Sequence, residues 1–323
     1  MGFSSLLGQP TVVQTLERAL TSGHVHHAYR FEGPDGVGKE LAALRLAQAL
    51  VCDKGDPFGC ETCSACRRAM TFASEAPEVP MHPDVVIVER GLYPASVIGS
   101  SEATAIGVEQ IRRIVLGRVG FPPHEGKALV IIVRSAEELS VSAANALLKT
   151  LEEPPSRTHF ILLTSRPSRL LDTVRSRTLA VRFRPLADDI LADLLEKNGA
   201  SRELAPLAQG SVSLGLQLAE EQARTEREAF ISAADAALAA TDLAGAMAFA
   251  DHRSDDRDTL KDLLQHLAHE FASRTRAAIA EGKSGGERWA ARHGLVMRTV
   301  EEVERNAQPA LALEALVTRL RKV

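Results

Sequence analysis

Phe31-Glu32-Gly33-Pro34-Asp35-Gly36-Val37-Gly38-Lys39-Glu40-Leu41-Ala42-Ala43-Leu44 is the stretch on which the reading of this chain turns. Gly33 through Lys39 match a phosphate-binding loop up to its lysine. The glycines let the backbone turn its N–H groups inward, and Lys39 would reach the β- and γ-phosphates. The motif next requires Ser or Thr, whose hydroxyl holds Mg²⁺, and this chain has Glu40. A phosphate cradle is legible, with one ligand for the metal replaced.

The flanking sequence supplies the context the motif needs. Ala28 to Phe31 read as a short strand running into the loop, and the Ala- and Leu-rich Lys39 to Val51 read as a helix packed on a sheet. Asp84–Glu89, Ala128–Val133, His159–Thr164 and Leu179–Phe183 read as further strands. Helical spacing falls between them at Leu6–Ala19 (upstream of the loop), Val108–Leu116, Ser140–Leu151 and Leu170–Val174. Alternation of this kind predicts an α/β fold, a parallel sheet with helices on both faces. From Pro185 the strands stop. Leu186–Leu195, Arg202–Ala208 and a segment from Gly210 through Ala219 suggest a small helical lid. The last hundred or so residues are helical throughout, with breaks near Asp251–Asp256, Gly282–Gly286 and Gln308-Pro309. The expected domains are 1–184, with a cysteine module at 52–66, then 185–222 as lid and 223–323 as an all-helical C-terminal domain.

At a working phosphate-loop site the apolar strand Ala128–Val133 would end in Asp, which supports Mg²⁺, often followed by Glu to activate water. Here it ends in Arg134 and Ser135. Two departures at one chemical centre, Glu40 and Arg134-Ser135, argue that the site does not hydrolyse nucleotide. Opposite charges at these positions suggest that Arg134 pairs with Glu40 where the metal would sit. The other reading leaves Glu40 in solvent, favoured by the helix dipole at the first turn.

All four cysteines, Cys52, Cys60, Cys63 and Cys66, lie within one window of fifteen positions. Four soft ligands at short spacing suit a tetrahedral zinc ion better than a set of free thiols. Four thiolates leave no open coordination position, so the zinc would be structural rather than catalytic. His82, before the second strand, reads as a solvated loop histidine rather than a fifth ligand.

Composition excludes other classes. The chain has 323 residues, 45% hydrophobic and 25% charged, with a formal net charge of −4, so no basic nucleic-acid footprint covers the surface. No secretory leader pattern and no apolar run of membrane-spanning length is present, and a cytoplasmic protein is expected.

Several stretches together resemble the bacterial clamp-loader ATPases of the AAA+ class. They are Leu7-Gly8-Gln9, His27-Ala28-Tyr29, the cysteine module after the loop helix, Ala144 through Pro155 (Ala-Asn-Ala-Leu-Leu-Lys-Thr-Leu-Glu-Glu-Pro-Pro) and Ser176-Arg177-Thr178. The resemblance covers residues 1 to about 220 well. It favours the non-motor side of the family, because motor subunits keep the Mg²⁺ ligands. A motor subunit would also carry an arginine at the position of Ser213 in the lid helix. The resemblance implies a hetero-oligomeric ring with motor subunits and a delta subunit, reaching the sliding clamp and primed DNA through the complex. It also implies a trans arginine finger at Arg177, within a motif where Thr178 replaces the usual cysteine. Nucleotide binding at Gly33, Gly36, Gly38 and Lys39 is doubtful, and no hydrolysis by the chain alone is expected. Two other readings stand beside this one. One is an active motor subunit in which Glu40 ligates Mg²⁺; the other is a zinc-dependent nucleic-acid module. The second is weakened by the window itself: Lys54, with Arg67 and Arg68 just after it, are the only cations, and Phe58 is the lone aromatic.

Overall fold

The computed structural model describes residues 2–99, 104–125, 127–252, 256–280 and 285–323. Five strands, β1 (Ala28–Glu32), β2 (Val85–Val88), β3 (Leu129–Val133), β4 (Thr158–Thr164) and β5 (Leu179–Arg182), form one parallel sheet in the order β2-β3-β4-β1-β5. β2 and β3 are buried residue for residue, which is why their sequences are unbroken apolar runs rather than alternating ones. One face packs Tyr29, Phe31, Ile132, Ile161 and Phe183 against the helix Lys39–Leu50. The other packs Val88, Ile131, Phe160 and Leu162 against the helix Val141–Glu152.

All five strands and most helices fall where their periodicity places them. The first helix is an exception: it spans Pro10–Thr21, not Leu6–Ala19. Pro10 disfavours helical backbone at the residue before it while suiting the first helical position. Gln9, left outside the helix, is buried. It donates to the Arg184 carbonyl (2.6 Å) and the Val37 carbonyl (3.4 Å) and accepts from the Arg184 N–H (3.1 Å), tying the glycine-lysine loop to the end of β5. Between β2 and β3, the segment read as a plain helix is wound as a π-helix over Ile111–Leu116.

The chain divides into two compact units, Met1–Gly215 and Leu216–Val323. Within the first, the expected lid residues form the helix Asp188–Lys197, a short 3₁₀ turn at Arg202–Leu204 and the start of the helix Val212–Ala219. The second unit is helical. Glu221–Ala239, Arg257–Ala280, Gly286–Glu304 and Pro309–Leu320 bury Phe230, Phe249, Leu264, Phe271, Val300 and Leu316 in a core of their own. The expected break at Gly282–Gly286 lies partly outside the described residues; Gly285, at φ +115°, caps the helix that follows. Among the described residues no helix is long and apolar enough to cross a membrane.

Candidate functional site

Among the described residues three clusters bear chemistry, and the parallel sheet fixes the relation between two of them. The glycine-lysine loop follows β1 at the C-terminal edge of the sheet. Arg177 precedes β5 at the N-terminal edge, with Tyr29 paired to Leu179 and Glu32 to Arg182. A five-residue strand rises about 3.3 Å per residue, so roughly 16 Å of sheet separates the two edges.

In the loop, Lys39 is buried and fully engaged. Its ammonium donates to the carbonyls of Gly33 and Pro34, each at 2.5 Å, and to Asp35 Oδ1 at 3.1 Å. An ammonium has three protons, and the loop's own oxygens take all three. Over the loop lies the helix Val212–Ala219, whose Val212 N–H donates to the Gly36 carbonyl at 2.9 Å. Gly36 has φ +71°, and a Cβ there would stand 2.3 Å from Ser213 Oγ, 2.4 Å from Ser211 Oγ and 2.6 Å from the Ser213 nitrogen. Gly33 approaches β5 as closely, with Phe183 O 2.6 Å from a notional Cβ. These two glycines serve a close backbone approach within the fold, the same property that would admit a phosphate. Gly38, at φ +96°, begins the loop helix.

Beside the loop, Arg134 follows β3 and ion-pairs with Glu40, as the charges at those positions suggested. A third group joins them: Glu89, just after β2, accepts from Arg134 Nη1 at 2.7 Å. The Phe72 ring covers the guanidinium, its centroid 5.9 Å from Cζ. Burial works against the charge of Arg134, but the Glu89 and Glu40 carboxylates more than offset it and hold its pKa above the ordinary arginine value. Glu89 was not legible as a partner, because it pairs through sheet neighbours 45 residues apart. Ser135 takes a left-handed backbone, φ +44°, and turns the chain away from the loop into the 3₁₀ turn Ala136–Glu138.

At the opposite edge, Arg177 lies in a cleft lined by His26, His27, Leu151, Glu152, Ser176, Thr178 and Leu179. Its Nε donates to Glu152 Oε1 at 2.7 Å, and its Nη1 to the Thr173 carbonyl at 3.0 Å and Ser176 Oγ at 3.1 Å. His26 and His27 stack at 4.3 Å between ring centroids, and burial, with the neighbouring His27, holds the His26 pKa below its ordinary value. Glu152 comes from the Glu-Glu-Pro-Pro end of the helix Val141–Glu152 and His27 from the His-Ala-Tyr stretch, so three of the distinctive motifs meet here.

The third cluster is the cysteine module. The sulfurs of Cys52, Cys60, Cys63 and Cys66 all lie within 4.8 Å of one another, with Cys60 and Cys66 3.9 Å apart. Sulfurs at the corners of a tetrahedron about 2.3 Å from zinc are about 3.8 Å apart, so the donor set could hold such a metal. Backbone N–H groups point at the sulfurs: Cys63 N lies 3.3 Å from Cys60 Sγ, Cys66 N 3.4 Å from Cys63 Sγ, and Cys60 N 3.5 Å from Cys52 Sγ. The Thr62 hydroxyl, with the backbone N–H groups of Cys63 and Thr62, holds the Cys60 thiol down at about 6, while burial pushes that of Cys66 up. Four charge-accepting sulfurs at this separation favour thiolates only when a cation neutralises them.

His82 corrects the sequence reading: it is not solvated but 1% exposed. Its Nδ1 accepts from the Asp84 N–H at 3.1 Å, and its Nε2 lies 3.3 Å from Glu125 Oε2 without the alignment of a hydrogen bond. Glu125 also takes a two-pronged bond from Arg68 on the helix Ser64–Met70, while the Asp84 carboxylate accepts the N–H groups of His124 and Glu125. This network links the cysteine module to the sheet. A proline after His82 pointed to a loop, but burial depends on residues 40 positions further on.

Comparison with known proteins follows the same lines. The family described as DNA polymerase III, delta subunit, matches residues 8–187. The chain is 33% identical over 201 residues to DNA polymerase III subunit delta' of Bacillus subtilis, covering 62% of this chain and 54% of that protein. It is 34% identical over 196 residues to subunit gamma/tau of Mycobacterium tuberculosis, covering 60% of this chain and 31% of the relative. The chain thus spans about half or less of the length of these curated relatives. A solved structure of a DNA polymerase III gamma subunit-related protein from Thermotoga maritima shares the fold at a TM-score of 0.51 and 17% identity, covering 96% of this chain and 98% of that one. With the loop, the Glu-Glu-Pro-Pro helix end and the Ser-Arg-Thr turn all inside the matched region, the chain belongs to the DNA polymerase III delta-subunit family.

Proposed function

We propose that this chain is a non-hydrolysing, delta-prime-type subunit of the DNA polymerase III clamp loader, of the AAA+ class, which helps load the sliding clamp on primed DNA. Its chemical contribution is Arg177, presented to the ATP of a neighbouring motor subunit in a hetero-oligomeric ring. The observation that carries this reading is the placement of Arg177 at the sheet edge opposite the chain's own loop. A guanidinium there does not serve Lys39's site and is 33% exposed toward whatever docks on that edge. A trans arginine that meets charge developing on a transferred phosphoryl group is worth about 10³–10⁵ in rate.

The chain's own loop supports the non-hydrolysing half of the proposal. Phosphate would have to displace three bonds to the Lys39 ammonium and part Gly36 from the serines above it. Mg²⁺ would have to displace the guanidinium that joins Glu40 to Glu89. The rival reading, a motor subunit using Glu40 as metal ligand, requires that carboxylate to leave Arg134 first. In this reading the cysteine module holds a structural zinc that fixes the insertion after the loop helix.

ATP turnover tests the proposal. The isolated chain is expected to show none. The loader reconstituted with Arg177→Ala is expected to hydrolyse ATP at least tenfold more slowly on primed DNA than with the native chain, a loss well inside the ~10³–10⁵ that a trans finger supplies at the site it serves. Turnover by the isolated chain, or an unchanged rate with Arg177→Ala, overturns it.

A further inference from the structure

Thr178 stands where the related motif carries cysteine, and the structure gives that hydroxyl a specific task. Arg30, in the middle of β1, is 8% exposed, on the sheet face covered by the helix Val141–Glu152. Its Nε donates to Glu32 Oε1 at 2.6 Å. Its Nη1 reaches the start of β5, donating to Thr178 Oγ1 at 2.6 Å, to the Arg175 carbonyl at 2.8 Å and more weakly to the Thr178 carbonyl at 3.4 Å. The Thr178 hydroxyl accepts from Arg30 and donates its proton to the Val174 carbonyl at 2.9 Å. Acceptors on both sides of Arg177 in sequence, at 175 and 178, therefore hang from one buried guanidinium. Bonds to an ionised donor are roughly twice as strong as neutral ones. A thiol, a weak donor and a weak acceptor with a larger atom, does not reproduce a 2.6 Å bridge of this kind.

We infer that Arg30 and Thr178 form a clasp that positions the Arg177 finger, with Glu32 holding the guanidinium in orientation. Arg30 touches no nucleotide and acts only through the turn, so it is a positioning residue. This rests on the reading of Arg177 as a trans finger and adds the device that aims it. The turn at 175–178 has weak backbone bonds of its own: Arg177 N to the Val174 carbonyl at 3.2 Å and Thr178 N to the Arg175 carbonyl at 3.5 Å. Ser176 N keeps a firmer bond to the Asp172 carbonyl at 2.9 Å. Without the clasp the backbone at 177–178 rests on the two weaker bonds, and the guanidinium on its own bonds to Glu152, Thr173 and Ser176.

The test uses the full chain in the reconstituted loader, with kcat and KM for ATP measured on primed DNA. Thr178→Val removes the hydroxyl at nearly constant volume. It is expected to lower kcat about tenfold with KM unchanged, since a displacement near 1 Å costs up to about 10²-fold. Thr178→Ser keeps the hydroxyl and is expected to restore the native rate. In an Arg177→Ala background Thr178→Val is expected to cost nothing further, because it acts through a side chain no longer there. Amide exchange at 175–178 is expected to quicken in Thr178→Val. Arg30→Met is expected to repeat the kinetic pattern if it folds, and the threonine variants decide the matter if it does not. A native rate for Thr178→Val beside a slow Arg177→Ala overturns the clasp and leaves the finger. So does a Thr178→Val loss that persists in the Arg177→Ala background or appears in KM. A native rate for Arg177→Ala overturns the finger itself, and the clasp with it.

Discussion

The guanidinium of Arg134 bridges the carboxylates of Glu40 and Glu89, joining the first turn of the loop helix to the ends of β2 and β3. The opposite charges of Glu40 and Arg134 are direct partners, and a sheet neighbour, Glu89, supplies the second acceptor. The bridge has measurable consequences for stability.

Removing Arg134 alone leaves two carboxylates facing each other under the Phe72 ring. Breaking a fully buried pair costs about 3–5 kcal/mol; because Glu40 and Glu89 are 42% and 36% exposed, about 2 kcal/mol is expected for Arg134→Ala. The double variant Arg134→Ala/Glu40→Ala should lose less than the sum of its singles. Urea unfolding of all three variants measures the coupling, and strict additivity would show the bridge to be idle.

Gly36 tests the close approach of the helix Val212–Ala219 to the loop. Gly36→Ala places a methyl group against Ser211, Ser213 and the Ser213 backbone nitrogen at φ +71°, and should destabilise the first unit by about 2 kcal/mol. Trimming both serines to glycine should recover only part of this, since the backbone nitrogen and the left-handed φ remain. Full recovery would place the whole strain on the hydroxyls.

Metal analysis should return one zinc per chain. Chelation, or Cys63→Ser, should lower the melting temperature of the first unit by at least about 5 °C, because a ligand bound only by the folded form adds its binding energy to folding. A chain that purifies with well under one zinc and melts unchanged with chelator would remove the metal from this account.

His82 should make stability depend on pH. Burial, working against the Glu125 carboxylate, holds its pKa below the ordinary value, and its Nδ1 is already committed to the Asp84 N–H. The unfolded chain binds this proton near pH 6.5 and the folded chain only below that, so the unfolded form holds more protons as the pH falls. Stability from His82 is therefore complete above about pH 6.5 and is lost on acidification. His82→Gln should flatten the stability profile between about pH 5 and 7 without abolishing its slope, since half-buried His159 is shifted the same way. An unchanged slope would assign the dependence elsewhere.

Much of this was written locally in the chain. β2 and β3 are runs of four and five apolar residues that only a doubly covered parallel sheet accommodates, and they are legible for that reason. Gly33 to Lys39 fix a turn between strand and helix, and a four-cysteine window needs no distant partner to bring its sulfurs within 4.8 Å of one another. What the sequence left undetermined are relations across the sheet. Leu6 to Gln9 have helical spacing, but Pro10 shifts the start and sends Gln9 to Arg184, 175 residues away. Buried His82 and the second carboxylate on Arg134 depend on neighbours 40 or more residues distant. In sequence Thr178 is only a replacement for the usual cysteine; β1 and β5 lying side by side bring Arg30, 148 positions away, to its hydroxyl. Backbone propensity and apolar period act over a few residues and can be read in order. Ion pairs and hydrogen bonds between strands depend on register and strand order, which the parallel sheet sets only once the whole unit has folded.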